Sequence, residues 1–453
     1  MRHVFDRQSY LPRAGEATLQ ISHGYRAQYD GVSAILDANP EVIRMAHQDL
    51  RKLTPGARER KKGVYTSENI VRALTVHQME QTTWRETAVR IGEMPFLQDF
   101  VRLGARPVMD FTFLNTCFKV IKPATWARIN GVLRDYGVEQ GHVDPSNIRV
   151  DTTVVEANIH YPTDASLVWD VWRVTTRVLG RVREQCKVLV PHRFHYRKVK
   201  RDYLYLSRYS ASPSKKRQRE VRRRQRRLLN QADRVIAIAQ EVCRSPICRG
   251  DAAVNAFANE LSGYLPSMRQ VLSVAQRVWV QREKVPAVDR VFSIFEPHVE
   301  LIKRGKAQTP VEFGHAVWLS QTADKFILDF ETMEQKIPDE QLLEPILERH
   351  KEQLEAYPEG VAGDGGFRAT VGVMQRIGQK VKTVAVAKRK WEEPAGLSWW
   401  QRFRAGIEGT ISALKRAFRL SRCYYRTFKS FAAGVGMAIV CHNLIALANA
   451  GDP

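Results

Sequence analysis

Apolar residues recur at helical spacing from about Val32 to Gln140, broken by turns. Ser67 is placed to cap a helix that carries Ile70, Ala73 and Leu74 on one face. A second helix is predicted over Trp84–Ile91. A third begins near Asp110, with Phe111, Leu114, Phe118 and Ile121 in phase; Pro123 stops it and Trp126–Tyr136 resumes. Residues 1–24 are mixed and read as irregular. Residues 1–140 are therefore expected to form an all-helical domain with several helix-turn-helix opportunities.

The period then changes. Asn147–Glu156 is rich in β-branched residues and reads as a buried strand. A long helical stretch follows from about Leu167 to Val285. Strands return at Phe313–Ser320 and Lys325–Glu331, then a helix over Glu340–Leu354 and a short strand at Gly360–Gly363. Thr370–Ile377 reads as helix and Val381–Val386 as strand. Trp399–Arg419 reads as a basic helix and Phe431–Ala448 as an apolar closing helix. The order predicts an α/β protein with helices on the faces of a mixed sheet. Its core is expected from residues 141–166 and 286–453, interrupted by a basic helical insertion over 167–285.

Charge narrows the class of partner. The 453 residues include 71 Lys and Arg against 48 Asp and Glu, a net charge of +23, and 44% are apolar. That apolar fraction supports a sizeable core and argues against wholesale disorder. The excess cation argues for a polyanion, nucleic acid before an anionic membrane. No unbroken apolar run reaches the roughly 18 residues of a membrane span, and Met1–Tyr10 lacks the apolar run of a signal peptide. The six cysteines are scattered; the nearest pair, Cys243 and Cys248, has no well-placed histidine. Reduced thiols in a cytoplasmic protein are a better reading than a zinc site.

Three carboxylates stand out as candidate chemistry. Asp151 lies inside the first strand, where a charge is costly unless paired or bound to metal; pairing with one of the many arginines is the alternative. Asp364 ends a strand just before Gly365-Gly366, which permits close ligand approach; an ordinary Asp-Gly turn is the alternative. Glu408 sits in the basic helix and alone would be a solvated helical glutamate.

Together the three blocks resemble bacterial insertion-sequence DDE transposases, of the ISNCY-like group. Val150-Asp-Thr-Thr-Val-Val-Glu-Ala-Asn-Ile-His-Tyr-Pro-Thr-Asp164 resembles the first catalytic block and Ala362-Gly-Asp-Gly-Gly-Phe367 the second. The third block has Arg, three residues, Glu, six residues, Lys, and Arg404, Glu408 and Lys415 fit both gaps. A tyrosine normally three positions before that arginine is Gln401 here. Residues 65–135 also resemble the N-terminal helical domain common in these transposases, which makes residues 1–140 the candidate DNA-binding domain for terminal repeats, by a helix in the major groove. The resemblance implies a ribonuclease H-like fold, with Asp151 on the central first strand, Asp364 after the adjacent fourth strand and Glu408 on a helix beside them. It implies two divalent ions per site, Mg²⁺ or Mn²⁺, with Asp151 bridging both and Asp364 and Glu408 holding one each. Such a pair clamps the attacking and leaving oxygens of phosphodiester displacement. Double-stranded DNA, both transposon ends and target, is the implied partner, with a homodimer to hold two ends and a cytoplasmic location on the nucleoid.

Arg404 and Lys415 lie on or near the Glu408 face of their helix and are candidates to hold phosphates, or to pair with Glu408. In the insertion, nine of the thirteen residues over 215–227 are basic. Lys215, Lys216, Arg217, Arg222, Arg223 and Arg226 are the expected DNA contacts there. Tyr196, Tyr203, Tyr205 and Tyr209 could stack on bases or pack, and His160 could orient DNA or a carboxylate or simply lie at the surface. Trp84 and Trp126 read as core. Two other readings stay open: a hydrolytic nuclease on the same fold, and a decayed or domesticated copy that only binds DNA.

Overall fold

The computed structural model describes residues 3–4, 20–53, 65–303, 311–386 and 397–451. The chain is a mixed α/β protein, mostly helical, with an all-helical N-terminal region. It divides into two compact units, residues 1–158 with 314–453, and residues 159–313.

The first unit opens with α1 (Gln20–Ala38), α2 (Pro40–Leu50), α3 (Ser67–Met79), α4 (Trp84–Glu93), α5 (Pro95–Val101), α6 (Phe111–Val120) and α7 (Pro123–Glu139). The irregular stretch expected over 1–24 lies mostly outside the described residues, and helix has already begun at Gln20. α6 begins next to Asp110 as expected, and Asp110 caps it, accepting from Thr112 N. The cap of α3 is Thr66 rather than Ser67, in a reciprocal capping box with Asn69. Nor is α3 amphipathic in the expected way: every residue from Ser67 to Gln78 is buried. Its polar members are satisfied internally. Arg72 donates to Glu68, Asp37, Ser33 and the Phe100 carbonyl, and Asn69 to the carbonyls of Val101 and Arg102.

β1 (Asn147–Ala157) follows. The second unit, residues 159–313, contains α8 (Asp164–Gln185), α9 (Tyr196–Tyr209), α10 (Lys215–Arg244) and α11 (Ala252–Gln276), then β2 (Glu300–Lys303). The long helical stretch is thus a bundle, closed on Val168, Trp172, Leu229, Val235, Leu261 and Met268. The chain returns with β3 (Val311–Gln321), β4 (Ile327–Thr332), α12 (Leu343–Leu354), β5 (Gly360–Ala362), α13 (Val371–Lys380), β6 (Thr383–Ala385), α14 (Leu397–Ala417), β7 (Arg422–Cys423) and α15 (Phe428–Ala450). β2 and β7 are strands that pattern did not predict.

The sheet runs β2-β3-β1-β5-β6, with β4 paired to β3 and β7 to β1. β3 is antiparallel to β1 and to β4, whereas β5 is parallel to both β1 and β6. Alternation puts Arg149, Asp151 and Thr153 on one face and Val150, Thr152 and Val154 on the other. α14 covers the first face, where Arg149 Nη1 reaches the Phe403 carbonyl at 2.8 Å. α12 covers the second, where Arg349 lies over the Trp318 ring and binds Asp329. The outer edge of β4 is closed by a pair of buried asparagines. Asn443 Nδ2 and Asn130 Nδ2 both donate to the Ile327 carbonyl, and Asn443 Oδ1 accepts from Ile327 N.

α15 is long and apolar enough to cross a membrane by length and composition, although His442 and Asn443 interrupt it. Its most apolar window is 78% buried, and the helix lies against α7 and α1. It is an internal helix of this unit.

β1 and β3 approach closely at Gly314, opposite Glu156. A Cβ there would lie 2.0 Å from the Val155 carbonyl oxygen and 2.8 Å from Glu156 Cα, both backbone atoms. Gly314→Ala is expected to cost about 3 kcal/mol or more, since backbone in a central pair cannot step aside. Urea titration checks this, and an unchanged midpoint would contradict the close approach.

Candidate active site

Strand register makes the site. Arg149 pairs with Ala362 across the parallel β1–β5 ladder. Asp151 and Asp364 have the same offset, two residues further along, so the chain leaving β5 carries Asp364 abreast of Asp151. Neighbouring strands lie about 4.8 Å apart. Two carboxylates distant in sequence thereby come to one end of the sheet, near enough for the Asp364 charge to act on Asp151.

The turn after β5 is built for this. Asp364 Oδ1 accepts from Gly366 N at 2.8 Å, capping the single turn Gly365–Phe367, and Phe367 is fully buried beneath it. A Cβ on Gly366 would lie 2.9 Å from Asp364 Oδ1 and 3.5 Å from Asp339 Oδ2. Asp339 was not anticipated. It stands on a single turn before α12, and its Oδ1 is buried with no hydrogen-bond partner among the described residues.

Asp151 is half-buried and its Oδ1 accepts from Thr152 N at 2.7 Å. Burial pushes its carboxyl up to about 6, and the negative charges of Asp364 and Glu408 add to the rise; the Thr152 hydrogen bond and Arg404 oppose it. Its charge is thus held where the protein alone does not neutralise it.

The third member comes from α14. Phe403, Ile407, Thr410 and Leu414 form its buried stripe, and Arg404 and Glu408 flank that stripe near enough for both charges to act on Asp151. Glu408 itself points outward. Its side chain is 62% exposed and accepts from Arg404 Nη2 at 3.4 Å, a long ion pair. Lys415, two turns on, is half-buried, and Gln401 is exposed. Among the described residues, no three His, Cys, Asp or Glu side chains converge closely enough to hold a metal ion as they stand.

What sets α14 against β1 is a residue that pattern did not single out. Arg149 is 4% exposed. Its Nε donates to Gln321 Oε1 at 2.8 Å, its Nη1 to the Phe403 carbonyl, and its guanidinium lies over the Phe403 ring. Gln321 in turn donates to Thr410 Oγ1. Gly406 makes room, since a Cβ there would come within 1.9 Å of Arg149 Nη1. A charge in a strand two residues before a candidate ligand was the available signal.

The remaining expected contacts lie in the second unit. Lys215, Lys216, Arg217, Arg222, Arg223 and Arg226 are all exposed on α10. Arg224 and Arg227 instead bind the buried Asp202, and Arg223 pairs with Glu220. Of the tyrosines, Tyr203 stacks on Trp169 and Tyr205 and Tyr209 lie beneath Arg224 and Arg217, whereas Tyr196 is exposed. His160 Nε2 lies 3.5 Å from Asp170. Cys243 donates to the Ala258 carbonyl, and the Cys248 side chain lies outside the described residues. Trp126 is core, but Trp84 is only half-buried and lines a cavity.

No protein-family model, no curated protein and no solved structure matches this chain.

Proposed function

We propose that the chain is a DDE transposase, which cuts DNA at the ends of an insertion sequence and joins the 3′-hydroxyl ends to target DNA. The observation that carries this reading is the β1–β5 register, which sets Asp151 abreast of Asp364 on the face that α14 covers with Arg404 and Glu408. The strand order β4-β3-β1-β5-β6, antiparallel across the first three and parallel across the last three, supports a ribonuclease H-like core with residues 159–313 inserted after its first strand.

Asp151 and Asp364 suit a hard divalent cation. They are adjacent oxygen donors whose shared negative charge raises the cost of ionising Asp151, and a cation relieves that cost. Glu408 completes the set by releasing Arg404, a side-chain rotation on a fixed helix. Two Mg²⁺ or Mn²⁺ ions, when bound, supply an activated water or 3′-hydroxyl and neutralise the scissile phosphate. Arg404, once released, is a phosphate ligand beside the carboxylates, and Lys415 extends the same surface. Two DNA ends require two copies of the chain.

The test is an assay with duplex DNA carrying the sequences that flank this gene, with Mg²⁺ and 3′-hydroxyl ends. Strand transfer into a target supports a transposase. Cleavage without joining supports a hydrolytic nuclease, and binding without cleavage a decayed or domesticated copy.

The exposed row on α10 gives a separate prediction. Lys215, Lys216, Arg222 and Arg226 form no ion pair among the described residues. Replacing all four with Gln is expected to reduce the slope of log K against log salt by about 3 to 4, nearly one for each phosphate no longer neutralised. An unchanged slope would place the DNA elsewhere.

A further inference from the structure

The first unit contains a second chemically distinctive place. Beside α3, α4, α6 and the start of α15 is a cavity of about 580 Å³, within the range of pockets that take small molecules. Its lining includes Lys119, Arg419, Arg422 and Arg426 and no Asp or Glu. Two of these charges are already engaged: Arg422 binds Glu156 at 2.9 Å, and Arg419 donates to the Thr82 carbonyl while lying over the Tyr424 ring. Lys119 and Arg426 are exposed and have no carboxylate partner among the described residues.

The aromatic walls differ from the cationic rim. Trp84 stacks on His77 at 3.7 Å between centroids, and burial pushes His77 down to about 3, so this wall is neutral. Tyr424 is 58% exposed, with the Arg419 guanidinium over its ring at 5.4 Å. A ligand that satisfies both halves has a flat aromatic part and an anionic part.

We propose that this cavity binds a nucleotide, with its base against Trp84 and Tyr424 and its phosphate on Lys119 and Arg426. The nucleotide is either free or one unit of a nucleic-acid strand, since both present the same chemistry. The site uses none of the carboxylates of the candidate active site and stands without the transposase reading.

Calorimetric titration of the full chain tests it, with AMP, adenosine, inorganic phosphate and 5′-phosphorylated hexathymidylate as probes. AMP or the hexamer is expected to bind, and adenosine more weakly than AMP. The double variant K119E/R426E is expected to weaken binding by about tenfold or more, and Tyr424→Ala by about tenfold, the scale of a charge-assisted hydrogen bond or a stacked base. Tyr424→Ala should leave inorganic phosphate unaffected. All three positions are exposed, so thermal melting should match the parent protein. Hexamer binding that K119E/R426E weakens, without AMP binding, identifies a strand as the ligand; AMP binding that it weakens identifies a free nucleotide. The proposal is overturned if neither binds, if K119E/R426E weakens neither, or if adenosine binds as tightly as AMP. The titration is run in EDTA and reads binding without cleavage, so failure here is distinct from failure of the cleavage reading.

Discussion

Asp151→Asn is expected to reduce Mg²⁺-dependent DNA cleavage by on the order of 10³ or more, because a bound metal supplies several kcal/mol of transition-state stabilisation. DNA binding should persist. The same change should make the ion-free protein more stable. Asp151 rises from its ordinary 3.8 to about 6 on folding, burial being the main cause. Below pH 3.8 both states are protonated and the group costs nothing. Between 3.8 and about 6 the unfolded chain loses its proton first, so stability falls as pH rises. Above that window the full penalty of about 3 kcal/mol is present, and asparagine removes it. Thermal melting in EDTA should therefore show the variant several degrees above the parent at pH 7.5 and level with it near pH 3.5. Adding Mg²⁺ should reverse the order, since an ion at about a thousand times its Kd adds about 4.1 kcal/mol to the parent alone. Cleavage by the variant within tenfold of the parent would sink the assignment.

Arg149→Met should separate stability from activity. Arg149 is buried, and burial lowers its affinity for its proton, with only a distant attraction to Asp324 in compensation. Methionine removes that cost and leaves Gln321 Oε1 and the Phe403 carbonyl short of a donor, so melting should stay within about 2 kcal/mol of the parent. Cleavage should fall on the order of 100-fold, because α14 is then no longer tied to β1 with Arg404 and Glu408 in place, and a shift of about 1 Å costs that much. Arg149→Lys should not restore it, since one ammonium on a flexible stem cannot reproduce the fork to Gln321 and Phe403. If activity per folded molecule is unchanged in Arg149→Met, the arginine merely fills space.

Elements with a strong period were legible in the sequence. β1, α6, α12, α14 and α15 begin and end within three residues of their expected bounds. β7 has two residues and β2 four, too few for alternation to register. The face of α3 was misjudged because its charges and amides are spent internally, so polarity along it no longer reports solvent. For the site, residue types and the Arg404–Glu408 spacing were visible in one dimension. Strand register was not, nor was the outward turn of Glu408, because an Arg-to-Glu spacing of four fits a salt bridge as well as a shared ligand site. Arg149 and Asp339 follow no pattern and become meaningful only when strands and turns are assembled.

The burial of α15 against α1 and α7 has a consequence for synthesis. Those two helices are complete by residue 139, but their cover starts at residue 428. At ordinary elongation rates the ribosome needs about 15 to 60 s to make the intervening chain. For that interval α1 and α7 lack their α15 partner, and the Asn443 clamp on the β4 edge cannot close. A holdase that shelters residues 20–139 is expected to raise the yield of folded protein more than one acting after release.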